Sequence, residues 1–289
     1  MEADTEDELI FEVAFVEEER GRSSLRNMEA CLASLEGIRR KPLEQGVTLF
    51  QYFNPDTQAT CDFVISGTAL SCEMAMPRAT FFALECLPLM VRVARELRMQ
   101  VEVISPPYDE QPFVACVEDL MVRWQKANLE ERQFQESQGR QFYLMSSTQL
   151  EAIWEYELLR RDMARRYSRT RVQVPAVVFW GDKVSRRALR VSTWPRLASV
   201  SFPESDLLRL ESPPAPLKDG AVYSAPQVVQ AAGSLFKSLA MPVQHYFFDK
   251  EGHIKELIEM FRSLPKVNLS KLVQISYADV LDEEPPLWD

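Results

Sequence analysis

Glycine is scarce in this chain: nine residues out of 289, where a globular protein carries about 7%. The two closest, Gly37 and Gly46, stand nine positions apart. That spacing excludes G-x-G-x-x-G, G-x-x-x-x-G-K-S/T and G-x-S-x-G, and with them the common phosphate-cradling loops and the strained nucleophile elbow. Phosphate loops need several unhindered backbone amides in succession, which closely spaced glycines supply. Histidine is scarcer still, with two copies, His245 and His253, so any histidine-dependent triad must draw on one of them. The five cysteines (Cys31, Cys61, Cys72, Cys86 and Cys116) are scattered and form no C-x-x-C pair. This excludes zinc knuckles and thioredoxin-type motifs, and each cysteine is expected to pack as a small hydrophobe.

Long apolar runs are missing too. The best candidate, "TFFALECLPLMVRVA", meets Arg92 and Arg95 before it reaches membrane-spanning length. The opening "MEADTEDELI" has neither the basic start nor the apolar stretch of a secretory signal. These features lead to the expectation of a soluble, cytoplasmic protein without a membrane partner.

What the chain has in quantity is charge, unevenly placed. Ten acids against three arginines in residues 1–30 give −7, and nine acids against five bases in 249–289 give −4. The formal total is −10, so the middle is close to neutral at −10 + 11 = +1. Acidic ends of this kind serve solubility or form tails. Between them lies "RRDMARRYSRTR" (160–171), with six arginines and one acid.

Period-2 patterns mark strands at 9–16, 46–53, 61–66, 69–76 and 100–105. A helix capped by Ser23 or Ser24 carries Leu25, Met28, Leu32 and Leu35 on one face and ends at Gly37. A second occupies "TFFALECLPLMVRVARELR", with Thr80 as a cap and Pro88 forcing either a kink or a restart. The order β-α-β-β-β-α-β predicts an α+β sandwich of ferredoxin-like order. A third helix is expected from Pro112 to Asn128, with Val114, Val117, Met121 and Trp124 as its stripe. "LEERQFQESQGRQ" (129–141) is polar and reads as a connection. Beyond it, a helix from Thr148 to Tyr167 precedes four short strands at meander spacing, punctuated by Gly181–Asp182, Pro195 and Pro203. Helices at 226–240 and 253–263 and a strand at 272–277 complete a second α+β unit. The expected division is 1–128, a connection at 129–141, and 142–289 with an acidic tail.

On a helical wheel Ala152, Tyr156, Leu159, Met163 and Tyr167 share one face, and Arg161, Arg165 and Arg169 point away from it. Glu157 stands four residues before Arg161 and Asp162 four before Arg166, both favourable pairings, and cations suit a helix C-terminus. Arg165, Arg169 and Arg171 are left as the unpaired part of the patch. Nucleic-acid binders spread basic charge along a groove and interleave aromatics, whereas this patch is short and flanked by acidic ends. An acidic partner protein, or docking of an acidic tail of the same chain, fits it better. Trp180 and Trp194, on either side of "WGDK", are read either as cross-strand core or as exposed partner contacts.

Another set of residues carries chemistry in principle. His245, Asp249, Glu251 and His253 lie within nine positions and offer nitrogen and oxygen ligands, but not at the spacing of H-E-x-x-H. Arg78 and Glu85 flank "ATFFAL" beside the Pro88 irregularity, where a buried carboxylate can act as an acid, a base or a ligand. The expectation is a regulatory or adaptor protein acting through protein contacts, without cofactor or metal. The enzymatic alternative is a hydrolase or transferase with an Asp/Glu/Arg site at the interdomain cleft. A nucleic-acid-binding protein using the arginine-rich helix end is the third reading.

Overall fold

In β1 (Ile10–Glu17), Phe11, Val13 and Phe15 are buried and alternate with half-exposed Ile10, Glu12 and Ala14. That alternation fixes which face of the first sheet is the core. The computed structural model describes residues 9–17, 24–42, 46–106, 111–249 and 252–284. Among them the chain is α+β and divides into two compact units, one running to Phe142 with Glu284, the other Tyr143–Glu283.

The first unit continues through α1 (Leu25–Ala33), β2 (Ile38–Pro42), β3 (Val47–Phe53), β4 (Thr60–Ser66), β5 (Ala69–Ala75), α2 (Thr80–Leu97), β6 (Met99–Ser105) and α3 (Val117–Ser137). Its strands form one antiparallel sheet in the order β2-β3-β4-β5-β1-β6. Phe63, Ile65, Leu70, Cys72, Met74, Val101 and Val103 extend the buried face, and Cys31, Leu32, Leu87, Met90 and Trp124 from the helices are buried as well. On the other face Glu73 stands in register between Asp62 and Glu12. Burial first, and then the charges of Glu12 and Asp62, push the Glu73 carboxyl above its ordinary pKa.

Several expectations change here. The ferredoxin-like order does not hold: the sheet has six strands, one more than the expected order and two more than that pattern, because Ile38–Pro42 also pairs with β3 directly after Gly37. Leu25 is 46% exposed and outside the core, while Ser24 caps α1 by accepting from Asn27 N–H; Ser23 lies outside the described residues. Helix α2 runs unbroken through Pro88, which is exposed, and its N-cap is Ala79, so Thr80 is its first residue instead. α3 begins at Val117 behind a Cys116 cap whose sulfur accepts from Asp119 N–H. Val114, outside the helix, is 72% exposed, and Cys116 is a partly exposed cap where the other four cysteines are buried. The stretch expected to be a connection is helix as far as Ser137. Its stripe Leu120, Trp124, Ala127 and Glu131 stays buried past Asn128, and Arg132–Glu136 is an i,i+4 ion pair. Glu, Gln and Arg are good helix formers, so polarity alone does not end a helix.

The second unit comprises β7 (Tyr143–Met145), α4 (Ser147–Tyr167), β8 (Val178–Asp182), β9 (Ala188–Pro195), β10 (Val200–Pro203), β11 (Leu207–Glu211), β12 (Val222–Ser224), α5 (Ala225–Ala232), β13 (Lys237–Leu239), β14 (His245–Phe248), α6 (Ile254–Ser263), β15 (Leu272–Ile275) and β16 (Val280–Asp282). The strands at 178–211 are not a meander. β9 pairs with β11 in parallel, and β10 leaves to join β14 and β13 in another sheet. β10 is buried along its whole length, as befits a strand covered on both faces. The hairpin turn follows Asp182, which accepts from Val184 N–H at 2.8 Å. Gly181, expected in the turn, lies in β8 and pairs with Val273, and a Cβ there would overlap the Tyr143 ring. The helix expected to reach residue 240 stops at Gly233, whose φ of 52° suits glycine. Trp194 sits at the centre of the core, with rings of Phe236, Phe248 and Phe261 5.1–5.7 Å away.

Candidate functional site

The arginine-rich segment is the C-terminal half of α4 and the turn that ends it. Ser146 caps the helix by accepting from Gln149 N–H. Its inner face is Leu150, Ile153, Tyr156, Glu157 and Met163. Ala152, expected inside, is exposed, and Leu159 and Tyr167 are only partly buried. The Tyr156 hydroxyl lies 2.9 Å from the Pro175 carbonyl and 3.2 Å from that of Ser201, two acceptors for one proton. Burial, reinforced by the Glu157 charge, pushes the Tyr156 hydroxyl well above its ordinary range.

Glu157, expected as a partner for Arg161, is buried. Its side chain is 1% exposed and accepts from Val177 N–H and from Arg160 Nε, both at 2.6 Å. A carboxylate with two donors of this kind joins the helix to the segment leading into β8. Asp162 pairs with Arg165 at i,i+3, so Arg165, counted from sequence among the unpaired arginines, has a counter-charge. Both partners are exposed, at 79% and 51%, and such a pair contributes at most about 1 kcal/mol.

Arg161, Arg165, Arg166, Arg169 and Arg171 are all exposed. Arg166, Arg169 and Arg171 have no ion-pair partner among the described residues. The turn is closed by hydroxyls: Ser168 Oγ donates to the Arg165 carbonyl at 2.7 Å and Thr170 Oγ1 to that of Tyr167 at 2.9 Å. Arg171 then takes a left-handed conformation, φ 56°, which stops the chain from continuing as helix. The last carbonyls are thus satisfied locally, which leaves the guanidinium groups in solvent.

The strand under this turn holds His245, which is fully buried. Its Nδ1 is 2.7 Å from the Val243 carbonyl, an acceptor, so Nδ1 carries the proton. Nε2 then accepts from the Tyr167 hydroxyl at 3.2 Å. The Tyr167 ring also meets Phe247, 5.2 Å between centroids. Burial raises the Tyr167 hydroxyl against the opposing pull of Arg166. His245, considered as a ligand or base from sequence, anchors the arginine-bearing helix end.

The other candidates sit elsewhere. His253 is the N-cap residue of α6, its Nδ1 2.6 Å from Glu256, and Glu251 lies outside the described residues. Among the described residues no group of three or more His, Cys, Asp or Glu side chains is arranged to hold a metal ion. Glu85 receives Tyr52 and Asn54 on one oxygen at 2.6 Å and Thr57 on the other at 2.8 Å, which fastens α2 to the β3–β4 turn. Arg78 is nearly buried and exchanges backbone bonds with the Asn128 amide at 2.8 and 2.9 Å, which ties it to α3. Trp194 is 0% exposed and donates to the Ala198 carbonyl at 2.7 Å, so it is core and offers no contact surface. Trp180 is half-buried beside Val191, Leu207 and Val222, and its buried indole N–H has no acceptor among the described residues.

No helix among the described residues is long and apolar enough to cross a membrane. Comparison with protein-family models, with curated proteins and with solved structures finds nothing that matches the chain.

Proposed function

We propose that this chain is a cytoplasmic regulatory or adaptor protein that docks an acidic protein partner on the cationic end of α4. The observation that carries the reading is the trio Arg166, Arg169 and Arg171, exposed and without ion-pair partners among the described residues. They stand on a helix end whose inner side is held by Tyr156, Glu157 and Tyr167. Guanidinium groups carried on a backbone held in this way lose less ordering entropy on meeting carboxylates than groups on a loose segment do. Arginine also suits bidentate recognition of carboxylates better than lysine does.

The enzymatic alternative has less behind it, because Glu85 and Arg78 are both engaged in joining secondary-structure elements. Nucleic acid would ask for a longer basic surface with interleaved aromatics.

The test is binding of a fluorescent glutamate-rich peptide, followed by anisotropy at low salt, beside a duplex DNA of equal length. The wild type binds the peptide, and Arg166→Glu/Arg169→Glu weakens it at least about tenfold, the equivalent of 1.4 kcal/mol, with an unchanged melting curve. Equal peptide affinity in the double variant refutes the proposal. Tighter binding to DNA, with a slope of log affinity against log salt that the variant reduces by about one for each phosphate set free, transfers the patch to nucleic acid.

A further inference from the structure

In the second unit a depression of about 380 Å³ is lined by Gln173, Pro195, Arg196, Glu211 and Ser212. Its frame is backbone held in unfavourable conformations. Pro195–Ala198 is a tight turn, closed by Ala198 N–H donating to the Pro195 carbonyl at 3.0 Å. Its two central residues, Arg196 and Leu197, have φ of 54° and 52°, and Ser212 on the facing strand end has φ of 47°. Left-handed backbone is unfavourable for a residue that carries a side chain, and turns of this kind ordinarily use Asn or Gly.

The surroundings enforce the geometry. Leu197 is 3% exposed and packs in the Trp194 core. Arg196 N–H donates to the Glu211 carbonyl at 2.7 Å, and Ser212 N–H to Asp219 Oδ1 at 2.7 Å. Gln173 is pinned by its own N–H to Ser199 and by Ser201 N–H to its carbonyl, at 2.9 and 2.8 Å. The backbone of the rim is pre-organised, while the side chains of Gln173, Arg196, Glu211 and Ser212 are exposed; strained backbone of this kind clusters at binding sites.

The side chains on that rim are idle. Neither the Arg196 guanidinium nor the Glu211 carboxylate has a hydrogen-bond or ion-pair partner among the described residues, and the same holds for the Gln173 amide and Ser212 hydroxyl. One cation and one anion line the same hollow without joining each other. A lone anion would meet Glu211 there, and a lone cation would meet Arg196; a ligand with both charges satisfies both. The volume is at the small end of ligand sites, about 300–1,000 Å³, and Pro195 is the one apolar wall. We propose that the depression binds a small zwitterion of the α-amino acid or dipeptide class, its carboxylate on Arg196, its ammonium on Glu211, and Gln173 and Ser212 completing the polar contacts. Gln173 stands two residues after Arg171, but this reading does not depend on that of the arginine patch.

The experiment is a titration of the ¹⁵N-labelled full chain with diglycine, followed by amide chemical shifts. The expected result is saturable shifts at Gln173, Arg196, Glu211 and Ser212, with acetate or methylammonium alone producing none. Arg196→Asn removes the guanidinium yet suits the left-handed turn, and Glu211→Gln removes the opposite charge; each weakens binding about tenfold or more, the equivalent of 1.4 kcal/mol. An unchanged amide spectrum elsewhere certifies the fold of each variant. Absence of saturable shifts in the wild type, equal saturation by acetate alone, or wild-type affinity in Arg196→Asn overturns the proposal.

Discussion

Replacing Glu157 tests whether the arginine-bearing helix end is fixed as the geometry implies. Glu157→Ala strands two donors. Val177, itself 2% exposed, keeps a buried N–H without its acceptor, which costs about 1–3 kcal/mol. Arg160 loses its carboxylate. Breaking a fully buried pair from one side costs about 3–5 kcal/mol, but the Arg160 side chain is 22% exposed and can turn to water, which brings that part down to about 1–2 kcal/mol. Together the loss should be about 2–5 kcal/mol. Glu157→Gln keeps a carbonyl for Val177 N–H and gives up only the charge, so it should lose about 1–2 kcal/mol. Urea unfolding followed by circular dichroism, with the transition of residues 143–283 fitted separately, measures both. The reasoning fails if Gln costs as much as Ala, since the acceptor for Val177 would then carry nothing. It also fails if Ala changes stability by less than about 0.5 kcal/mol, the range of an ordinary surface substitution.

The two tryptophans make a matched pair: Trp194→Phe should cost about 2 kcal/mol through a small cavity and an abandoned Ala198 carbonyl. Trp180→Phe, which removes a buried donor without an acceptor among the described residues, should cost under about 1 kcal/mol, and a reversed order in urea midpoints would contradict both environments. Gly181→Ala should destabilise by about 1–3 kcal/mol through overlap with the Tyr143 ring, with a smaller loss in a Tyr143→Ala background; a non-additive rescue in that cycle is the check. Glu73→Gln should raise thermal stability at neutral pH, by up to about 1 kcal/mol, because it relieves two like charges across the strands. The Glu73 carboxyl is raised in the folded state, so its ionisation opposes folding. The gain should be full above the folded pKa and vanish as pH falls below the unfolded carboxyl value, where both states are protonated. A gain that persists in acid would assign the effect to something other than charge.

Much of the molecule follows from sequence by local physics. The alternation in 9–16, 61–66 and 69–76 is strand whichever sheet receives it, because a period of two has one use. The wide spacing of the nine glycines excludes phosphate loops in any fold. Exposure of Arg161 and Arg165 also follows from the helix period alone, whereas Arg169 stands in the turn beyond the end of α4. What tertiary structure decided is where local preferences tie or lose. Residues 129–137 are polar and suit a helix or a connection equally; the buried stripe through Glu131 chose helix. "ASVSF" looks like the next strand of a meander, but the turn at Arg196–Leu197 sends it to another sheet. Leucine and arginine do not advertise left-handed backbone, so that turn cannot be read from residue type. Glu157 resembles a solvent-side partner for Arg161, and only the approach of Val177 N–H makes it a buried acceptor. Hydrogen-bond partners distant in sequence carry no local signal, and for that reason Glu157, His245 and Arg196 acquire their roles only in the folded chain.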